Sequence, residues 1–224
     1  MKVYILYHND PLSKQYADFA ARSCQQTNMN YELVEGFSEP TDPNDAWNSI
    51  GLNRKIKRNN FVPKAQLCSA GHAKIWKMIS ESDEDGIVFE HDAVMLHDIN
   101  EIEFPDNMIV VLGYKVKDAQ KYLHDQAGPP EFIRDIKGHE GAHAYGMTPA
   151  TARKLLDEIE ETGVWSAVDN QFFLADQRKS KVPMSILDPT PAIGWLRQST
   201  IWGNSSEKNY PFIESFKNNY YGDH

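Results

Sequence analysis

The chain has 224 residues, a hydrophobic fraction of 41% and a formal net charge of −9. That length suits one large domain, and the composition belongs to a folded protein rather than a disordered one. The negative charge speaks against nucleic acid or an anionic membrane as a general partner, and no apolar stretch reaches the length of a membrane span.

Residues 2–7 read as a first strand, which is too short for a signal-peptide core and runs straight into His8-Asn9-Asp10. Asp10-Pro11 pairs an N-cap with proline at the first helical position. It predicts a helix with Leu12, Tyr16, Phe19, Ala20 and Ser23 turned inward. Residues 31–34 form a second strand, and strand–helix–strand is the opening of an α/β sheet. Residues 38–64 are rich in Pro, Asn and Asp with little periodicity, and read as a long loop. That stretch carries Arg54, Lys55, Lys57, Arg58 and Lys64, either to meet phosphates or simply as a solvated basic face. A helix over residues 67–82 puts His72, Ile75, Trp76 and Ile79 on one face, so His72 lies on the buried side.

An acidic turn then feeds the apolar run Ile87-Val88-Phe89, which is interrupted by Glu90-His91-Asp92. Buried charge is costly unless compensated, so the strand is expected to end here, at the edge of a cleft. In extended backbone Glu90 and Asp92 point to one side and His91 to the other. Carboxylates at such a place commonly hold a divalent cation; the alternative is a solvated strand end before the next apolar segment.

Residues 108–113 form another buried strand, and residues 114–141 a second irregular stretch. His139-Glu140-Gly141-Ala142-His143 matches the zinc-hydrolase pattern H-E-x-x-H, which requires both histidines on one helix face. Gly138, Gly141 and Gly146 argue against a helix there. Residues 144–147 read as a short strand, and Thr148-Pro149 starts a helix with Ala152, Leu155, Leu156 and Ile159 inward, stopped by Gly163. Residues 182–187 are the last strand candidate, and from Gly203 a tail without a period begins. One domain over residues 1–202 with a tail over 203–224 is the expected organisation. Cys24 and Cys68 fall in helical patterns, which favours reduced thiols and a cytoplasmic protein.

Three pieces in order resemble glycosyltransferase family 25, the group that includes bacterial lipooligosaccharide and collagen galactosyltransferases. Cys68-Ser69-Ala70-Gly71-His72 with Trp76-Lys77 is similar to the family's Gly-Cys-x-x-Ser-His stretch and Trp-Lys helix. The strand into Glu90-His91-Asp92-Ala93-Val94 resembles the family's Glu-Asp-Asp-Val, with His91 in place of the middle aspartate. Ala144-Tyr145, the Ala152-Arg153-Lys154-Leu155-Leu156 helix and Val168-Asp169-Asn170 follow the family's Ala-Tyr, Ala-x-Lys-Leu-Leu and Pro-x-Asp turn. Gln198-Ser199-Thr200-Ile201 echoes a C-terminal Ser-x-Ile.

The resemblance implies an α/β, GT-A-like fold: a Rossmann-type mixed sheet with helices on both faces. It implies sugar transfer, with inversion, from a nucleotide-sugar donor such as UDP-galactose or UDP-glucose to the hydroxyl of a glycan or other acceptor, assisted by Mn²⁺ or Mg²⁺. Carried over residue by residue, Asp92 and Glu90 are the metal ligands. Asp169 is the general base, with a helix N-cap as its alternative role. Asn170 and Ser199 touch substrate, His72 shapes or contacts the donor site from its helix, and His91 ligates the metal, contacts the ribose or simply packs. Arg54 and Lys55, from the basic loop rather than from the resemblance, meet phosphates or a charged acceptor.

Overall fold

The structure, a computed structural model, describes residues 1–52, 62–115, 129–139 and 141–194. Three helices begin in the same way. Asp10, Asp42 and Thr148 each accept a backbone N–H of the first turn through the side chain, and each is followed by proline. A cap of this kind is worth about 1 kcal/mol, and proline loses nothing where its N–H would be unpaired anyway. The helices are α1 (Pro11–Gln26), α2 (Pro43–Ser49) and α4 (Pro149–Thr162), with α3 (Pro63–Ser80) between the last two. Helix α2 lies inside the stretch expected to be a loop, and Asp42-Pro43 is the signal that marks it. Helix α3 starts four residues before the expected Leu67, again at a proline.

The inward face of α1 differs from the one the hydrophobic pattern suggests. Leu12 is exposed, while Ser13, Ala17, Ala20 and Cys24 are buried along with Phe19 and Ser23. Small residues at this spacing let the helix lie close on the sheet, and Ser23 Oγ accepts from Met95 N at 2.9 Å. Close packing therefore outweighs the burial of one leucine.

The strands are β1 (Lys2–Tyr7), β2 (Tyr31–Glu35), β3 (Gly86–Glu90), β4 (Ala93–Met95), β5 (Ile109–Val111), β6 (Gly113–Lys115), β7 (Phe132–Ile136), β8 (Ala144–Met147), β9 (Met184–Asp188) and β10 (Ala192–Gly194). Seven of them form one sheet in the order β2-β1-β3-β8-β5-β9-β7. β2, β1 and β3 run parallel, β8 is antiparallel to both β3 and β5, and β5 is parallel to β9. β4, β10 and β6 make a second, smaller sheet. The 108–113 run is thus shared between two sheets, leaving one at Val111 and entering the other at Gly113. β7 falls within the stretch expected to be irregular. It is an edge strand with mostly exposed side chains, so it lacks the apolar alternation that marks a strand.

One core packs α2, α3 and α4 against Tyr4, Leu6, Val88 and Tyr145; the other packs α1 and β4 against Val3, Ile5, Ile87 and Phe89. This is the expected α/β architecture, a mixed sheet with helices on both faces. No helix among the described residues is long and apolar enough to cross a membrane. The tail from residue 203 lies outside the described residues.

Candidate active site

Parallel pairing brings the C-terminal ends of β1 and β3 together, with Leu6 opposite Glu90. Antiparallel pairing of β8 with β3 brings the start of β8 to the same edge, and Glu90 N donates to His143 O at 2.9 Å. Four polar segments therefore meet there: His8, Glu90 to Asp92, His143 and the short π-helical turn Asp169–Phe173.

Glu90 and Asp92 face one way. Glu90 Oε2 lies 3.2 Å and Asp92 Oδ1 3.9 Å from His143 Nδ1. The side chains of Glu90 and Asp92 keep 22% and 19% of their surface among the described residues, so both are only partly buried. Asp92 Oδ1 and both ring nitrogens of His143 are buried without an aligned hydrogen bond, so the 3.2 Å contact is an ion pair and not a well-directed bond. His91 turns the other way, stacking on Tyr16 of α1 with centroids 5.8 Å apart and meeting His8 edge-on at 6.2 Å. Burial pulls the His8 imidazole below its ordinary pKa, and His91 adds to that.

Behind Glu90 runs a buried chain of polar groups. Trp76 Nε1–H donates to the Tyr145 hydroxyl at 2.8 Å, and that hydroxyl lies 2.8 Å from His72 Nδ1. His72 Nε2 lies 3.2 Å from Glu90 Oε1. The chain is satisfied when Tyr145 donates to Nδ1 and Nε2–H donates to the carboxylate. Burial pushes the Tyr145 phenol well up, which keeps it a donor. With both nitrogens engaged and no exposed surface, His72 stands behind Glu90 and orients it, not at an open donor face.

The charges in the cleft act strongly on one another. Burial raises the Glu90 carboxyl, but His143 and His72 outweigh it and hold Glu90 well below the usual range. Burial raises Asp92, only partly offset by His143 and His91. Burial also pulls His143 down, and Glu90, Asp92 and Asp169 together lift it to about 9.

Asp169 is half-buried and acts electrostatically on His143, Tyr145 and Cys68. It is the first residue of the π-turn, whose cap position is held by Val168. The turn is anchored by Phe172, edge-on to Trp76 at 4.9 Å, and by Phe173, 4.8 Å from the Tyr145 ring. Asn170 Nδ2 donates to Ser166 Oγ at 3.2 Å. Lys64 pairs with Glu39 at 3.5 Å, whereas Arg54, Lys55 and Ser199 lie outside the described residues.

The H-E-x-x-H match is not a zinc helix. His139 and His143 lie on an irregular approach to β8, where Gly141 has φ of +96°. His139 Nδ1 sits 3.2 Å from Gly141 O, while His143 turns to the carboxylates. His143 is the site residue that the sequence reading missed, because the motif drew attention to the wrong geometry. A histidine directly before a strand that pairs with the Glu90 strand was the available signal.

The sequence model of glycosyltransferase family 25, described as LPS biosynthesis protein, matches residues 13–172. No curated protein matches the chain. Among solved structures it is similar to the galactosyltransferase LgtC in complex with donor and acceptor sugar analogs, at 11% identity, over 91% of this chain and 92% of that one, with a TM-score of 0.43. It is also similar to the glycosyltransferase GlyE of Streptococcus pneumoniae TIGR4, at 11% identity, over 95% of this chain and 59% of that one, with a TM-score of 0.48. The family match takes in α1, the Glu90–Asp92 edge, His143 and Asp169, well over half of the sequence, and the chain belongs to glycosyltransferase family 25, an enzyme of sugar transfer.

Proposed function

We propose that this glycosyltransferase takes a hexose from a nucleotide-sugar donor, UDP-galactose or UDP-glucose, and passes it with inversion to a hydroxyl of a glycan acceptor. The observation that carries the reading is the convergence of Glu90 and Asp92 at the end of β3, with a buried Asp92 oxygen left without a hydrogen bond. An orphaned buried carboxylate oxygen is costly alone and is what a cation ligand looks like before its ion arrives. The residues fit a divalent cation, Mn²⁺ or Mg²⁺, with Asp92 as principal ligand and Glu90 oriented by His72. When bound, such a cation neutralises the charge developing on the leaving diphosphate.

The chain's own residues supply the rest. His8, His91 and Tyr16 pack together on the α1 side, beside the ends of β1 and β3, where an open α/β sheet receives its ligand. Asp169 takes the proton from the acceptor hydroxyl as the new glycosidic bond forms and the anomeric carbon–phosphate oxygen bond breaks. Asn170, on the same turn, orients the acceptor. A cytoplasmic setting accords with two free, buried thiols, Cys24 and Cys68.

A panel of nucleotide sugars with Mn²⁺ tests this. A uridine diphosphate hexose should raise the melting temperature and release UDP, and proton NMR of the product should show the anomeric configuration inverted. Absence of any thermal response across the panel would sink the donor assignment, and retained configuration would remove Asp169 as the general base.

A further inference from the structure

We infer that Gln171 is a positioning residue for the general base: its buried side-chain amide ties the π-turn to the end of α4 and so fixes where the Asp169 carboxylate stands. The inference rests on the reading of Asp169 as the base.

Gln171 is 3% exposed, and both ends of its amide are in use. Nε2 donates to Gly163 O at 3.0 Å, and Oε1 accepts from Trp165 N at 3.2 Å. The backbone of the same residue joins two further segments. Its N–H donates to Ala167 O at 2.9 Å, and its carbonyl accepts from Lys179 N at 3.2 Å. One residue thus holds the chain leaving α4, the approach to the turn and the segment that follows it. A buried amide is costly unless its hydrogen bonds are made. A leucine would fill much the same space, so what the amide adds is direction.

Asp169 and Gln171 lie on opposite sides of the turn. Leu174 N donates to Asp169 O at 2.8 Å, the five-residue bond of a π-turn. One revolution then takes about four and a half residues, and two positions turn about halfway round. Asp169 stands close enough to the cleft to act on His143 and Tyr145, while Gln171 reaches the exit of α4. Phe172 and Phe173 hold the turn through ring contacts to Trp76 and Tyr145. Rings slide on one another at little cost, whereas two hydrogen bonds to backbone set an angle. Among the described residues, an open recess of about 290 Å³ lies behind the turn, bordered by Thr162, Trp165, Gln171, Phe172 and Lys179. Packing does not fill that side, so without the amide bonds the turn has room to rock back and draw Asp169 from the acceptor hydroxyl. A misplacement of about 1 Å at a reacting group costs about 100-fold in rate.

The test is steady-state release of UDP from UDP-galactose and UDP-glucose with Mn²⁺, water standing in for the acceptor hydroxyl, with each variant's melt recorded as a check on folding. Gln171→Leu should lower kcat at least about tenfold while KM for the donor stays within about twofold. Asp169→Asn should lower kcat by itself, and adding Gln171→Leu to it should cost less than about threefold more, because both act through one carboxylate. Unchanged kcat in Gln171→Leu, a change confined to KM, or losses that multiply in the double variant overturn the inference and leave Asp169 as the base. Full activity in Asp169→Asn overturns the base reading and the inference with it. A wild type that releases no UDP from either donor overturns the donor assignment and the inference together. If Gln171→Leu fails to fold, the same comparison is made with Gln171→Glu, which keeps the acceptor for Trp165 N and loses the donor to Gly163 O.

Discussion

At the residue scale, Glu90 and Asp92 are close neighbours whose carboxyls are shifted in opposite directions. His143 and His72 outweigh burial and hold Glu90 well below the usual range, whereas burial raises Asp92. A group whose charge is penalised in the fold contributes little to stability, so its conservation of shape matters more than its charge. Asp92→Asn should therefore leave the melting temperature unchanged or slightly raised while abolishing sugar transfer, and a large loss of melting temperature would contradict this account. His143 has the reverse sign. Its folded pKa of about 9 lies above its ordinary 6.5, through the carboxylates of Glu90, Asp92 and Asp169 that face it. The stabilisation is full below about pH 6.5 and is lost as pH rises through about 9, on the order of 3 kcal/mol at most. In metal-free buffer the melting temperature should fall between pH 6.5 and 9.5 more steeply for the wild type than for His143→Gln. Parallel curves would show that the imidazole carries no such charge.

At the element scale, the site depends on how α3, β8 and the π-turn lock together. Tyr145 is wholly buried at the start of β8, yet it reaches Trp76 and His72 on α3 and packs on Phe173 of the turn. Tyr145→Phe keeps the ring and removes the hydroxyl, leaving Trp76 Nε1 and His72 Nδ1 without their partner. An orphaned buried group costs about 1–3 kcal/mol, and 1 kcal/mol is about 2–4 °C for a chain of this size. The melting temperature should drop by several degrees, with sugar transfer falling too as Glu90 loses its orientation. A drop in activity without any drop in melting temperature would show that the hydroxyl acts directly on substrate. The π-turn itself is in keeping with its place, since such turns are over-represented at functional sites.

At the scale of the whole molecule, the small β4-β10-β6 sheet runs beside the Glu90–Asp92 edge, because β4 begins at Ala93. Gly194 ends β10, pairs with Ala93 immediately after Asp92, and lies where a Cβ would come within 2.6 Å of His143 Cγ. Gly194→Ala should cost about 1–3 kcal/mol by overpacking, and the loss should shrink in a His143→Ala background, where the ring is gone. Equal losses in both backgrounds would show that the two sheets are not coupled through that contact.

Much of this fold was legible in the chain. The Asp10-Pro11 and Thr148-Pro149 helix starts, the buried runs of β1, β3 and β8, and the interruption at Glu90 are local patterns whose physics acts within a few residues. What stayed hidden has a common cause. β7, β4 and β10 are short or exposed strands, stabilised by neighbours far along the sequence, and α1 buries its small residues because of what lies beneath it. The amino-acid sequence by itself determined that carboxylates end a central strand and that the chain resembles a sugar-transfer family. Only the tertiary structure decided that His143, 53 positions from Glu90, faces them in place of forming a zinc helix, because strand pairing and two glycine gaps set where its ring can go.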